Sequence, residues 1–380
     1  MKLNKTLDQH IAVFGESGSG KTVLLSSFYG WAQEPQFLRA SPYHIVADNI
    51  GLGNILHKNY LQMRDVEKVP EASRYKAIPY SFSIKMKNMG IAKDRPFDAL
   101  RLVWHDYPGE WFEQDPSGPE EAQRRVDTFR ALLGADVAFV LIDGQKILDH
   151  SGEEERYLKS WLGNLRNGIL SLKNDLLPGG KPLIEFPRIW IIALSKCDLL
   201  PDYTVFTFRD LMIKACAEEI ALLKEVIASL VVGKDALAVG EDFMLLSSAK
   251  FNPGKIDVTK RVGLDLILPL AAMLPFERHI AWAKAKTLPV KVAQDLLRSA
   301  DALARVLVKT KILDRLPAPF NAAVKVAIPA VLEAAVQLAG QPLQAAHAAA
   351  VADRDNLAAT LTGFKMDLQR GKDDQTFFEF

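Results

Sequence analysis

Residues 11–22 read IAVFGESGSGKT, and this stretch predicts the fold of the chain around it. The apolar run Ile11–Phe14 is typical of a buried strand. Residues 15–22 then match the phosphate-loop (Walker A) pattern G-x-x-x-x-G-K-[ST] at every fixed position. Helical spacing continues from Thr22 to Trp31, so a bound phosphate would lie at a helix N-terminus, where the helix dipole favours an anion. The stretch therefore predicts a strand, a phosphate-binding loop and a helix in succession.

Each residue type in this loop has a chemical task. Glycine lets the backbone turn tightly and bring several N–H groups onto one anion. The Lys21 ammonium can lie on the β- and γ-phosphates of a nucleotide, and the Thr22 hydroxyl can ligate Mg²⁺. The residues expected to contact the nucleotide here are Gly15, Glu16, Ser17, Gly18, Ser19, Gly20, Lys21, Thr22 and Val23. The alternative interpretation is a glycine-rich turn that binds nothing.

Composition narrows the class of protein. The chain has 380 residues, 49% hydrophobic and 24% charged, which allows a sizeable core and argues against global disorder. A formal charge of +1 gives no electrostatic reason to expect nucleic acid or an anionic membrane as the main partner. Cys197 and Cys216 have no paired spacing, so neither a disulfide framework nor a zinc site is indicated. The polar first ten residues and the lack of a charge-free apolar run of twenty lead us to expect a cytoplasmic protein with no signal peptide or transmembrane segment.

Strand and helix patterns alternate through the first three quarters of the chain. Strands are predicted at 79–87, 98–105, 135–143, 188–194 and 243–246, and helices at 119–133, 153–175, 205–232 and 262–285. The strand at 79–87 is expected at a sheet edge, and 33–78 is expected to be long and irregular. This alternation predicts an α/β fold: a mostly parallel sheet with helices on both faces and ligands bound off the carboxyl ends of the strands.

The last part of the chain differs in composition. Residues 287–380 are rich in Ala and Leu, show no strand pattern, and predict helices at about 289–314 and 343–369. We therefore expect a nucleotide-binding domain over 1–286, with a helical insertion at about 144–186, followed by an α-helical C-terminal region over 287–380. Packing against the first domain is the expected role of these helices, and a membrane-surface helix is the alternative. The aromatic end of the tail, Asp373–Phe380, is expected to be mobile and available to a partner.

A second candidate site element follows the strand predicted at 98–105. Asp106 and Gly109 have the spacing D-x-x-G. Beside a phosphate loop, Asp106 can hold Mg²⁺ through a water, and the Gly109 N–H can donate to a γ-phosphate and so sense its presence. An ordinary short turn is the alternative, because Asp and Gly are common in turns.

Two further motifs resemble the base-recognition loops of GTPases. Residues 195–198, SKCD, resemble the motif [NT]KxD, in which a carboxylate at Asp198 would accept hydrogen bonds from guanine N1 and N2. The aliphatic stem of Lys196 would lie across the base, and Ser195 stands where Asn or Thr is more usual. After the last strand, Ser248, Ala249 and Lys250 resemble the SAK loop, in which the Ala249 N–H would meet guanine O6.

Taken together, residues 8–285 resemble a Ras-like (translation-factor-class) P-loop GTPase domain. The strings GESGSGKT and DYPGEW, the latter at Asp106–Trp111, are also similar to YcjX-like proteins and related bacterial conflict-system GTPases. The resemblance implies GTP or GDP and Mg²⁺ as ligands, with Thr22 and Asp106 on the metal and Lys21, Gly109 and Glu110 around the reacting phosphate. It covers the nucleotide core and not the last ninety-odd residues.

Two departures from that family bear on hydrolysis. Ras-like domains place a switch I threonine on Mg²⁺, but this chain has no Thr between Thr22 and Thr128, so Ser73, Ser81 or a backbone carbonyl would have to substitute. Glu110 stands where a glutamine usually orients the attacking water; it could accept the water's proton, or it could simply cap the following segment. Slow intrinsic turnover is therefore expected, accelerated by an arginine from a partner or by Arg124 or Arg125.

The resulting hypothesis is a guanine-nucleotide switch. GTP and Mg²⁺ would order the loops around 40–80 and 106–118, and hydrolysis would release them. Protein partners would contact these switch regions, including Trp111 and Phe112, or the C-terminal helices. The alternative for these two aromatics is packing under the edge of the sheet. The alternatives are an ATP-dependent hydrolase or kinase that uses the same phosphate loop, and a scaffold that binds a nucleotide without hydrolysing it.

Overall fold

The fold is built on one large, mostly parallel β-sheet. In this computed structural model the described residues are 6–70, 79–87, 99–106, 108–112, 116–183, 186–252, 255–284, 288–308, 338 and 341–380. Within them the strands are β1 Thr6–Phe14, β2 Tyr43–Ala47, β3 Tyr80–Met86, β4 Ala99–His105, β5 Val137–Asp143, β6 Ile189–Ser195, β7 Ala238–Leu245, β8 Lys250–Asn252, β9 Lys255–Asp257 and β10 Phe377–Phe378. The predicted fold class, a mostly parallel sheet with helices on both faces, is confirmed.

The sheet has the strand order β10-β7-β6-β5-β1-β4-β3-β2. Strands β7, β6, β5, β1 and β4 pair in parallel, whereas β3 and β2 at one end and β10 at the other are antiparallel to their neighbours. The short strands β8 and β9 form a separate hairpin. The five parallel strands point the same way, so the loops after β1, β4, β6 and β7 lie along one edge.

Helices cover both faces of the sheet. They are α1 Lys21–Trp31, α2 Pro35–Ala40, α3 Ile50–Val66, α4 Pro119–Leu132, α5 Gly144–Asp149, α6 Glu154–Ser171, α7 Lys173–Leu176, α8 Val205–Ala228, α9 Ile267–Lys284, α10 Val290–Val308, α11 Gln341–Ala352 and α12 Asn356–Asp373. Helices α1, α9 and α12 pack on one face and α4, α6 and α8 on the other. Side chains alternate between the two faces: Ile11 and Val13 of β1 enter the first core, and Ala12 and Phe14 enter the second.

The interval 33–78 was wrongly expected to be irregular. It contains α2, β2 and the seventeen-residue helix α3, whose Asn49 side chain caps its first turn by accepting from the Leu52 N–H. Strand β2 also covers β3, so β2 and not β3 is the edge strand. The pattern was missed because α3 carries glycines at Gly51 and Gly53. Gly53 is needed because a Cβ there would lie 2.7 Å from the Cβ of Ala47.

Smaller differences concern proline and the element ends. The helix predicted from 262 begins at Ile267 after a 3₁₀ turn, Leu264–Leu266, and continues through Pro275 without a break. The helix predicted at 343–369 is two helices, α11 and α12, separated by Arg354 with a positive φ of 55°. Among the described helices, none combines the length and the apolar character needed to cross a bilayer.

The C-terminal tail is part of the sheet rather than a mobile end. Phe377 and Phe378 form β10, which pairs antiparallel with Met244 and Phe243 of β7. Phe377 is buried with the helices of one face, and Phe378 packs against the other face. A two-residue strand is too short to show an alternating pattern, which is why the sequence predicted no strand after residue 287.

Candidate nucleotide-binding groove

The four motif loops lie along one edge of the sheet. Residues 15–20 follow β1, Asp106 follows β4, Lys196 follows β6, and Ser247 and Ser248 come after the end of β7. Each loop leaves the carboxyl end of a parallel strand, where open α/β sheets bind their ligands. The fold therefore brings together residues from Gly15 to Ser248, 233 positions apart in the chain.

The phosphate loop is shaped by two glycines in the left-handed region. Gly18 has a φ of 81° and Gly20 a φ of 91°, which few other residues adopt without strain. Gly20 is also the N-cap of α1, and because it has no side chain, no side-chain cap competes with an anion at that helix N-terminus. The buried Lys21 ammonium donates to the carbonyls of Gly15 at 2.6 Å and Glu16 at 3.0 Å, which holds it inside the loop.

A cavity of about 170 Å³ lies over this loop. It is lined by Ser17, Gly18, Ser19, Gly20, Lys21, Thr22, Val23, Val69, Pro70, Asp106, Gly109 and Glu110. A Cβ added at Gly109 would lie 2.3 Å from the backbone N of Ser17, so this glycine lets the 3₁₀ turn Gly109–Phe112 rest directly on the phosphate loop.

The donor set in this cavity fits Mg²⁺. The Thr22 hydroxyl and the Asp106 carboxylate line the same small space, and both are hard oxygen ligands. No group of three or more His, Cys, Asp or Glu side chains able to hold a metal occurs within the described residues. A magnesium ion that arrives with phosphates needs only one or two protein ligands, so the two residues suffice.

A second cavity, of about 320 Å³, lies next to the first. Its lining includes Lys196, Asp198, Ser248, Gln145 and Phe251. It also shares lining residues with the first cavity, namely Gly18, Ser19, Gly20, Val23 and Val69. The two cavities therefore adjoin along the phosphate loop. Together we call them the groove, with a phosphate half lined by Asp106 and a base half lined by Asp198, after the motifs found in each.

The Asp198 carboxylate is held rigidly. Its Oδ1 accepts from the Ser247 hydroxyl at 2.7 Å, and its Oδ2 accepts from the Phe251 N–H at 3.0 Å. Each carboxylate oxygen has a second lone pair, so both can still accept a hydrogen bond from a ligand. Ser247 and Phe251 flank the SAK tripeptide, and the sequence reasoning missed both because only the tripeptide matched a motif.

Lys196 is fixed by an acid from a neighbouring strand. Its backbone has a positive φ of 53°, and its ammonium bonds to Oδ2 of Asp143 at 2.8 Å. Asp143 ends β5 and is buried. The Ser195 hydroxyl donates to the carbonyl of Ile142 at 3.1 Å, so it ties the ends of β5 and β6 together. Asp143 was visible in the sequence only as the acid that ends an apolar run.

Four of the predicted nucleotide contacts lie outside the residues that line the groove. Gly15 and Glu16 belong to the loop, but the buried Glu16 carboxylate pairs with Lys146 at 3.0 Å. Ala249 is fully buried against α3, in contact with the cluster that contains Tyr60 and Met63. Lys250 is exposed at the start of β8. Of the SAK tripeptide, only Ser248 lines the base-side cavity.

The arginines proposed as possible catalytic groups lie elsewhere. Arg124 is exposed and does not line the groove. Arg125 is buried: it pairs with Glu121 at 2.6 Å, donates to the Trp111 carbonyl at 3.0 Å and lies over the Trp111 ring. Arg125 therefore braces the turn that carries Gly109 and Glu110 from behind. The side chain of Phe112 is not described.

The segment after α3 contributes the remaining wall. Val69 lines both halves of the groove and Pro70 the phosphate half. Ser73 falls in 71–78, outside the described residues, and Ser81 belongs to β3 and does not line either half. The switch region expected at 40–80 is thus mostly regular structure up to Val66, and the described part that reaches the groove is 69–70.

A larger cavity, about 780 Å³, lies at the other end of α1. Its walls include Phe28, Trp31, Phe37, Tyr43 and Phe364, and none of the predicted nucleotide contacts lines it. Size alone therefore does not identify the candidate site, whereas the converging polar groups of the smaller groove do.

Comparison with known proteins gives only distant likenesses. No protein-family model and no curated protein matches the chain. Among solved structures, the Methanosarcina barkeri Roco2 RocCORdC protein bound to GDP is 12% identical, over 76% of this chain and 53% of that chain, with a TM-score of 0.26. A member of an oligomerised bacterial dynamin pair, described as sensing and tethering membranes, is 14% identical over 97% of this chain and 57% of that chain, also at 0.26. The chain spans a little over half the length of these proteins, and likeness at this level is too low to transfer an activity, a ligand or a partner.

Proposed function

We propose that this chain binds guanine nucleotides with Mg²⁺ and hydrolyses GTP slowly, as a switch regulated by a protein partner. The observation that carries the proposal is the pair of adjoining cavities, one lined by Lys21 and the other by Asp198, that share the phosphate loop as a wall. One nucleotide has the chemistry to fill it, because its phosphates need the loop N–H groups and its base needs an acceptor pair. The chemistry below is assigned on that basis.

The phosphate half would hold the charge of the nucleotide. The backbone of residues 15–20 cradles the phosphates, Lys21 neutralises the outer two, and Val23, in the first turn of α1, lines the same cavity. Thr22 and Asp106 would hold Mg²⁺, which supplies charge neutralisation at the phosphates when bound. The Lys21 ammonium is already directed into the loop by two carbonyls, so little reorganisation is needed on binding.

The base half would read guanine. Asp198 accepts from N1 and N2 of the base, and the stem of Lys196 covers one side of the ring. Adenine presents no donors at the matching positions, so neither Asp198 oxygen would gain a hydrogen bond beyond those from Ser247 and Phe251. Ser248 lies at the groove and would contact the base, whereas Ala249 and Lys250 would act through the loop they belong to.

Hydrolysis would depend on the turn after β4. The Gly109 N–H donates to the γ-phosphate, and Glu110, which lines the same cavity, orients the attacking water and accepts its proton. The Glu110 carboxylate would repel the phosphates unless it were partly protonated or its charge balanced, which is why slow turnover is expected. We propose that residues 1–286 carry this chemistry and that the helices of 287–380 pass the nucleotide state to a protein partner.

Calorimetric titration of the purified chain with GDP and ADP tests the proposal. We expect GDP to bind at least about 100-fold more tightly than ADP, because a site built to bond a donor rejects the analogue that lacks it. Asp198→Asn should bind xanthosine diphosphate more tightly than GDP, because the xanthine base offers an acceptor to the new amide. Equal affinity for ADP and GDP in the unchanged chain would instead support an ATP-dependent hydrolase or kinase.

A non-hydrolysing scaffold is the second candidate. It is favoured by the absence of Thr between Thr22 and Thr128 and by Glu110 at the glutamine position. Phosphate release from GTP, followed over hours with and without candidate partners, separates the two. A scaffold releases no phosphate above the rate of the Lys21→Met variant under either condition.

A further inference from the structure

The last residues of the chain contact the elements that carry the two base-side loops, residues 195–198 and 247–250. Helix α12 ends at Asp373, and Gln375 follows in the left-handed region with a φ of 54°. The N–H groups of Gln375 and Thr376 bond back to the carbonyls of Lys372 at 3.1 Å and Gly371 at 2.8 Å. This turn reverses the chain direction, and the carbonyls of Gln375 and Thr376 then point away from the helix.

Those two carbonyls accept from the elements that carry the base-side loops. The Gln375 carbonyl accepts from the N–H of Val205, the first residue of α8, at 3.0 Å. The Thr376 carbonyl accepts from the N–H of Leu245, the last residue of β7, at 2.9 Å. Val205 comes seven residues after Asp198, and Leu245 comes two residues before Ser247, which holds Asp198 in place.

The strand that follows anchors this contact. Phe377 is 1% exposed in the core of one sheet face, and Phe378 lies under the Arg209 guanidinium, 4.6 Å from the ring centroid to the carbon of that group. Glu379 pairs with Lys372 at 2.5 Å and with Arg278 at 3.4 Å. Residues 375–379 are therefore fixed on both faces of the sheet and by charge.

We propose that this C-terminal segment, residues 375–378, positions the base-side loops and so sets the selectivity for guanine; the inference rests on the proposed function. The segment acts through the backbone of Val205 and Leu245, so its residues are positioning residues and not catalytic ones. In the sheet, three strands (β7, β6 and β5) separate β10 from β1, which carries the phosphate loop. Displacing the segment therefore disturbs the base half of the groove before the phosphate half.

A matched pair of substitutions at one exposed position tests this. Gln375→Gly relaxes the positive φ, whereas Gln375→Val places a β-branched residue where that φ is strongly disfavoured. Gln375 is exposed, so neither change removes buried contact. For each variant we would measure affinity for GDP, ADP and inorganic tripolyphosphate, together with amide exchange at Val205 and Leu245.

Gln375→Val should lower the ratio of GDP to ADP affinity at least about tenfold and speed exchange at both amides. The reason is that the carbonyls of residues 375 and 376 would move away from the N–H groups of Val205 and Leu245. Its tripolyphosphate affinity should stay within about twofold, and the glycine variant should match the unchanged chain. Phe377→Ala, which removes the buried anchor, should give the same pattern. Phe82→Leu in β3, far from the base-side loops, supplies a destabilised control whose affinity ratio should not change.

Three results would overturn the inference. If amide exchange at Val205 and Leu245 rises in Gln375→Val or Phe377→Ala while the ratio of GDP to ADP affinity is unchanged, the segment does not position the loops. If GDP and tripolyphosphate affinities fall together, the segment supports the fold in general. If the unchanged chain does not distinguish GDP from ADP, the proposed function fails and this inference fails with it, whereas the first two results leave the proposed function intact.

Discussion

The two halves of the groove are built in different ways. Most of the phosphate half is one continuous stretch, residues 17–23. Val69 and Pro70 complete it, together with Asp106, Gly109 and Glu110 after the adjacent strand β4. The base half combines short pieces from the ends of β5, β6 and β7, held by Asp143, Ser247 and the C-terminal tail. The phosphate half is therefore local in the sequence, and the base half depends on contacts between distant segments.

This difference fits what each half would recognise under the proposed function. A phosphate is bound by backbone N–H groups and one cation, which a glycine-rich loop supplies by its own conformation. A base is recognised by side chains whose orientation must be fixed, and each such side chain needs a second residue that holds it in place. Substitutions in the phosphate half should thus act directly and strongly, and those in the base half should act through supporting contacts.

The largest expected effect is that of Lys21→Met. It removes the buried ammonium from the loop, and charge-assisted bonds to phosphate are about twice as strong as neutral ones. Affinity for GDP and for tripolyphosphate should both fall by about 100-fold or more in calorimetry. Lys181→Met, at an exposed lysine that lies before β6 and lines neither half of the groove, is the matched control and should change neither affinity by more than about twofold. A Lys21→Met protein that keeps its tripolyphosphate affinity would contradict the direct role of this half.

Gly109→Ala should have an intermediate effect confined to the reaction. The added Cβ would meet the backbone of Ser17 at 2.3 Å, and backbone cannot yield as a flexible side chain does, so the turn must move off the loop. Single-turnover phosphate release from GTP should slow by about tenfold or more, while GDP affinity changes little. Gly118→Ala is the control, since nothing lies within 4 Å of a Cβ there. Unchanged release by Gly109→Ala would show that the turn does not act on the γ-phosphate.

The same contrast explains how much could be predicted from the sequence. The parallel sheet, its helical layers and the four loops at one edge follow from apolar runs that end in polar motifs, and the runs of β5 and β6 are buried at every residue. Thr22, Asp106 and Gly109 line one cavity, as their motifs indicate. Asp143 and Phe251 were missed because their roles depend on strand order and on a hairpin, neither of which a motif encodes.

Local patterns failed where several elements share one core. Gly53 of α3 is required by close packing on Ala47 and Tyr29, yet in the sequence Gly51 and Gly53 indicate a loop. The ending TFFEF is typical of a mobile aromatic tail until its register beside β7 is known. Both errors concern tertiary contacts that override local propensity.

The smallest expected effect uses Cys197 as a reporter inside the base half. Burial, and then the neighbouring Asp198 carboxylate, raise the pKa of the Cys197 thiol to about 12. In a Cys216→Ser background, its alkylation rate should therefore still rise about tenfold per pH unit between pH 8 and 10, where an ordinary thiol levels off near pH 9. Saturating GDP should slow labelling about fivefold by holding the loop of residues 195–198 closed, and tripolyphosphate, which fills only the phosphate half, should leave the rate unchanged. If tripolyphosphate protects Cys197 as well as GDP does, the two halves respond as one unit and the contrast between them is lost.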